Sequence, residues 1–100
     1  MKLQDILDEV EQLSDDKTIL ARKPWTLESD AEVVSLDAEF RIPEAERQLG
    51  FDYFLEISVA IEVLEVFGDR KPTLDERRAL LMYYAENDAY PDWVFQSRTE

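Results

Sequence analysis

Residues 51–68 read Phe51-Asp52-Tyr53-Phe54-Leu55-Glu56-Ile57-Ser58-Val59-Ala60-Ile61-Glu62-Val63-Leu64-Glu65-Val66-Phe67-Gly68. Within this run the apolar spacing changes from a strand period to a helical one. The first seven residues alternate, which sets Phe51, Tyr53, Leu55 and Ile57 on one face of a predicted strand. Ser58 has the side chain of an N-cap, and a helix is predicted over 59–67, with Gly68 placed to end it. Ala60, Ile61, Val63, Leu64 and Phe67 form a band wider than one stripe, so this helix is expected to be the most buried.

Working toward the N-terminus, Ala31-Glu32-Val33-Val34-Ser35-Leu36 and Thr18-Ile19-Leu20-Ala21-Arg22 read as two further strands. Pro24 cannot donate to a ladder and stops the latter. The segment from Asp37 to Gln48 reads as a loop, with one helical turn after Pro43. Leu3, Ile6, Leu7, Val10 and Leu13 lie at helical spacing, predicting an amphipathic helix over 2–13. Ser14-Asp15-Asp16 closes it as a polar turn. Trp25 is open to two readings, an exposed anchor or a plug in the core.

Working toward the C-terminus, Thr73 followed by Glu76 is a capping box. It opens a helix over 74–87, with Leu74, Arg77, Leu81 and Tyr84 on one line and Leu80 and Tyr83 beside it. Pro91 ends any continuation, and Trp93-Val94-Phe95 reads as an extended tail that needs cover. The paired bases Arg70-Lys71 and Arg77-Arg78 read as offsetting local acidity. The expected fold is a single α+β domain over 1–100, with a three-stranded antiparallel sheet, three helices in the order α-β-β-β-α-α, and the helices on one face. Short connections suggest a meander.

The charge balance is the strongest global feature: 24 Asp and Glu against 11 Lys and Arg give −13. Such a surface repels nucleic acid and anionic membrane and attracts basic proteins. A cytoplasmic chain is expected, because the N-terminal residues lack the apolar stretch of a signal peptide and no run is long enough to span a bilayer. There is no cysteine and no histidine. A thiolate metal site, a cysteine nucleophile and the usual general base of a serine triad are all missing. The two glycines sit at element boundaries, so there is no phosphate-binding loop. Carboxylates remain, and two of them can serve a glycosidase or hold a hard cation. The cluster Glu86-Asn87-Asp88 is the best such constellation, but it lacks the full spacing of a calcium loop. No enzyme, no cofactor and no metal are expected.

Two stretches could carry binding. One is the acidic segment with Glu28, Asp30, Glu32, Asp37, Glu39, Glu44 and Glu46, whose spaced negative charges suit a groove built for phosphates. The other holds Glu86, Asp88, Tyr90 and Trp93, where rings supply area and acids supply direction. Each has a plainer reading, as a solvated loop face and as a lid on the core.

Phe51-Asp52-Tyr53-Phe54-Leu55-Glu56-Ile57, a helix, and then Leu81-Met82-Tyr83-Tyr84-Ala85-Glu86-Asn87-Asp88-Ala89-Tyr90 resemble the small acidic bacterial immunity proteins of contact-dependent growth inhibition and related polymorphic toxin systems. The likeness covers the layout of roughly residues 1–95, and its specific part is the block from Tyr83 to Tyr90. It implies a protein that binds the toxic C-terminal domain of a delivered effector and blocks its active site. Many such toxins are nucleases with basic substrate grooves. The partner expected from the resemblance is therefore a cognate, basic toxin domain, with no direct contact to nucleic acid or membrane. A DNA mimic or regulatory adaptor for basic nucleic-acid-binding proteins is the alternative, and a small carboxylate enzyme is a third.

Overall fold

The computed structural model describes residues 1–36, 39 and 41–95. The chain forms α1 (Leu3–Asp8), β1 (Thr18–Arg22), β2 (Ala31–Val34), α2 (Glu44–Gln48), β3 (Phe51–Glu56), α3 (Ile57–Leu64) and α4 (Leu74–Asn87). Turns of 3-10 helix follow α1 (Val10–Gln12), extend α3 (Glu65–Phe67) and close the described chain (Asp92–Phe95). The architecture is α+β: one three-stranded antiparallel sheet, with α1, α3 and α4 gathered on a common core against it. The short α2 is the helical turn expected after Pro43.

The strand order is β2-β1-β3, which corrects the meander. Residues 35–50 between β2 and β3 are long enough to carry the chain to the far side of β1, so β1 becomes the central strand. Its burial agrees: Thr18, Ile19, Leu20 and Ala21 are all buried, the pattern of a strand covered on both faces. Residues 1–4 cover the start of β2, with the Ala31 amide donating to the Met1 carbonyl at 2.8 Å and the Leu3 amide to Ser29 at 2.9 Å.

β3 carries one extra residue. Ile19 pairs with Leu55 and Leu20 with Tyr53, so Phe54 is left without a partner in a β-bulge. The bulge sends both Phe54 and Leu55 into the core and leaves Tyr53 exposed. The single face expected for Phe51, Tyr53, Leu55 and Ile57 is therefore not formed. Phe54 meets Trp25 edge to face at 4.9 Å, and the Trp25 indole donates to the Ala21 carbonyl at 3.2 Å. Trp25 is thus a plug in the core.

β3 passes into α3 without a break. The helix begins at Ile57, not after Ser58, and Glu56 stands at the cap position without a side-chain cap. The Ile57 amide donates to the Lys17 carbonyl at 3.0 Å, so the residue preceding β1 satisfies one of the free N–H groups of the helix start. Gly68, at φ 56°, adopts a left-handed backbone that ends the turn after α3. The Arg70 guanidinium then closes this end, donating to the carbonyls of Val66 (2.8 Å), Phe67 (3.0 Å) and Val94 (2.8 Å). The last contact draws in the Asp92–Phe95 turn, which replaces the expected extended tail. Only Val94 enters the core there, while Trp93 and Phe95 stay exposed.

The capping box forms as read. The Thr73 hydroxyl accepts from the Glu76 amide at 3.1 Å, and the Glu76 carboxylate accepts from the Thr73 amide at 2.8 Å. Leu80 and Leu81 are buried, but Leu74 and Tyr83 face solvent, so the apolar band of α4 is narrower than expected. Two arginines border that band. Arg78 makes a two-pronged pair with Asp8, at 2.8 and 2.6 Å, and Arg77 pairs with Glu11. These pairs tie α4 to α1 and its following turn. Among the described residues no helix is long and apolar enough to cross a membrane.

Candidate functional site

The surface charges divide according to whether the chain neutralises them itself. In the middle stretch it does so for three of the six described acids. Asp30 lies 3.8 Å from Arg22, Glu39 3.2 Å from Arg41, and Glu44 3.0 Å from Arg47. Glu44 also accepts from the Gln48 amide at 3.1 Å, and Arg47 first and Gln48 second hold its carboxyl below the ordinary value. Glu32 on β2 and Glu46 on α2 are half-buried. Asp37 lies outside the described residues.

The end of the molecule built by α3 and α4 differs. Glu56 closes β3, Glu62 stands on α3, Glu65 follows it, and Glu86 and Asp88 stand at the end of α4. Among the described residues no Lys or Arg forms an ion pair with any of these five. Neither α3 nor α4 carries a base in its last turn. Glu62, Glu65, Glu86 and Asp88 lie near helix C-termini and face the negative end of the macrodipole, whereas Glu56 stands at the N-cap of α3, where the dipole favours it. The fold tolerates this charge without relieving it.

Aromatic rings connect these acids. Tyr84, half-buried on α4, meets Tyr90 at 5.3 Å, and Tyr90 meets Phe95 at 5.9 Å, both edge to face. Burial first, then the charges of Tyr84, Glu62 and Glu65, raise the Tyr90 phenol above its ordinary range. Tyr53, exposed at the β3 edge, opens onto a cleft that it lines with Leu55, Val59, Tyr84, Ala85 and Asp88. Asp88 adopts a left-handed backbone at φ 53°, with its amide donating to the Tyr84 carbonyl at 2.8 Å. Aspartate tolerates that conformation better than most residues. Asp88 is exposed, and it lines the cleft with this backbone fixed.

Partial burial, then the charge of Glu56 and finally that of Asp88, push the Tyr53 phenol from 10.0 to about 12. The folded chain therefore prefers the protonated phenol. That contribution to stability is complete below pH 10 and is lost as pH rises from 10 toward about 12. Tyr53→Phe is expected to remove this part of the alkaline loss, as read by urea unfolding at increasing pH. An unchanged alkaline profile in the variant would place the titrating group elsewhere.

Of the residues singled out in the sequence, Asp88 and Tyr90 fall in this region and Glu86 stands beside them on α4. Trp93 packs on Phe67 at 6.4 Å, beside the Arg70 clasp. Asp30 and Glu32 lie with β2, on the opposite side of β1 from Tyr53 and Asp88, so the two stretches do not make one site. In the Glu86-Asn87-Asp88 cluster the Asn87 amide donates to the Tyr83 carbonyl at 2.9 Å, and among the described residues no group of three or more His, Cys, Asp or Glu could hold a metal ion. Sequence reading missed Tyr53, Glu56, Glu62 and Glu65. A signal existed, since no base occurs between Arg47 and Arg70, while five acids do: Asp52, Glu56, Glu62, Glu65 and Asp69.

The fold and this surface define a small acidic α+β domain with an aromatic cleft at one sheet edge. The chain belongs to the family described as a domain of unknown function, DUF7716, whose profile matches residues 1–93. No curated protein and no solved structure matches it.

Proposed function

We propose that this protein is a binding module that captures a basic protein through the acidic, aromatic end of α3 and α4. We further propose that the partner is the toxic domain of a delivered bacterial effector, which the module blocks as a cytoplasmic immunity protein. The observation that carries the binding reading is the set of five carboxylates, Glu56, Glu62, Glu65, Glu86 and Asp88, left without a base among the described residues. A cationic surface seated there would relieve their mutual repulsion and, for Glu62, Glu65, Glu86 and Asp88, their conflict with the helix dipoles. Tyr53, Tyr84 and Tyr90 supply the rigid apolar area that makes such a contact more than a charge effect. The toxin as partner rests on the resemblance carried by the Tyr83–Tyr90 block.

Coexpression with the toxin domain encoded beside it tests this reading. The expected result is rescued growth and a complex that co-elutes in gel filtration and weakens as salt rises. Failure to bind that domain at low ionic strength would remove the immunity reading. Equal binding of several unrelated basic proteins would instead mark a general mimic of nucleic acid.

A further inference from the structure

We propose that the open cleft between the β3 edge and the end of α4 receives the guanidinium of an arginine side chain from a basic protein, with Tyr53 and Tyr84 as aromatic walls and Asp88 as counter-ion. This deepens the reading above and rests on it. The cleft has a volume of about 330 Å³ and combines two phenol rings, aliphatic carbon from Leu55 and Val59, and one carboxylate. It is not merely an acidic cluster, because Tyr53, Leu55, Val59 and Tyr84 line the same cleft as Asp88.

Charge complementarity identifies the occupant. Each of the six described arginines is engaged within the chain itself. Arg22, Arg41, Arg47, Arg77 and Arg78 pair with carboxylates, and Arg70 donates to three carbonyls. None of them lines this cleft. Among the described residues the cleft thus has an acceptor and aromatic residues but no cation of its own. Glu56 lies close enough to act with Asp88 on the Tyr53 hydroxyl, so a second negative charge stands near the mouth.

Arginine suits this lining better than lysine. A guanidinium is planar and weakly hydrated, so it can lie against a phenol ring while keeping edge donors for a carboxylate. An ammonium is a strongly hydrated point charge that gains less from the rings. The left-handed turn at Asp88 fixes the backbone from which this acceptor projects, which removes the backbone part of the ordering cost.

The test uses the full chain, isotope-labelled for amide resonances, titrated with N-acetyl-arginine N-methylamide and separately with its lysine counterpart. The expected result is a saturable shift at Tyr53, Val59, Tyr84 and Ala85, with weaker binding of the lysine probe. Asp88→Asn keeps the turn, since asparagine also takes the left-handed conformation. It is expected to weaken arginine binding about five-fold, the upper range for a solvent-accessible ion pair. Absence of a saturable shift, equal response to both probes, or a response that Asp88→Asn leaves unchanged overturns the proposal. The two readings fail separately. A toxin domain that binds while the cleft ignores arginine removes this inference alone. A cleft that takes arginine in a chain that binds no toxin domain removes the immunity reading alone.

Discussion

Replacing Phe54 with alanine is expected to cost about 3–5 kcal/mol of stability. The ring is only 2% exposed and stands where the bulge in β3 turns two consecutive residues into the core. Its removal takes away the transfer energy of a phenyl group and leaves a cavity that the flanking sheet and helices can only partly close. It also strips the edge-to-face partner from Trp25, a contact worth about 0.5–1.5 kcal/mol beyond area. A domain of this size has a total stability of roughly 5–15 kcal/mol, so the variant would stand near the unfolding threshold. Urea unfolding followed by circular dichroism measures the loss. Trp25 fluorescence should report earlier exposure of the indole. The control is Leu49→Ala at a residue 56% exposed, which should change stability by about 0.5 kcal/mol or less. A Phe54→Ala variant as stable as that control would show that the bulge does not direct the ring inward.

Phe54 also marks where the sequence stopped being readable. The strand was plain over 51–56, though Ile57 proved to open α3, and the α4 start was plain because Thr73 and Glu76 supply both halves of a local hydrogen-bond exchange. Signals of that kind act between residues three apart and need no tertiary partner. Bulge and strand order depend on pairings across the chain. Phe51, Tyr53, Leu55 and Phe54 are all apolar or aromatic, so alternation could not tell which of them would turn inward once Ile19 chose Leu55 and Leu20 chose Tyr53. The central place of β1 was accessible in principle. Thr18-Ile19-Leu20-Ala21 has no charged residue to face solvent, and such a run belongs inside a sheet. Reading β1 that way would have excluded the meander. The same contrast holds for the site. The acids of the middle stretch were counted correctly but carry bases close by, so Asp30, Glu39 and Glu44 are partly neutralised within the fold. Glu62 and Glu65 merely interrupt the apolar run from Ile57 to Val66. Their influence on the Tyr90 phenol comes from tertiary packing, and Glu65 also shares a cleft with Arg70 and Arg77 without pairing with either.

Reversing Glu62 and Glu65 together, as Glu62→Lys with Glu65→Lys, is expected to weaken capture of a basic partner by about 100-fold, or roughly 2.8 kcal/mol. Both residues are exposed, and lysine is as good a helix former as glutamate, so the fold should persist. Positive charge at the end of α3 also suits the helix dipole, and stability should hold or rise slightly. Binding should suffer in two ways: steering toward this end is lost, which lowers the association rate, and like charges then oppose each other at contact. A matched control separates position from net charge. Glu28→Lys with Glu32→Lys makes the same total change on the β2 side of the sheet, away from Tyr53 and Asp88. If the surface lies where the unpaired carboxylates and the tyrosines meet, the control should lose only the long-range steering component, a few-fold at low salt and little at physiological ionic strength. Equal losses from both pairs would mean that overall acidity alone governs binding. A greater loss from the β2 pair would move the surface to the middle stretch, with its self-paired arginines opening to admit the partner. Surface-captured toxin domain and stopped-flow association rates at two salt concentrations distinguish these outcomes directly.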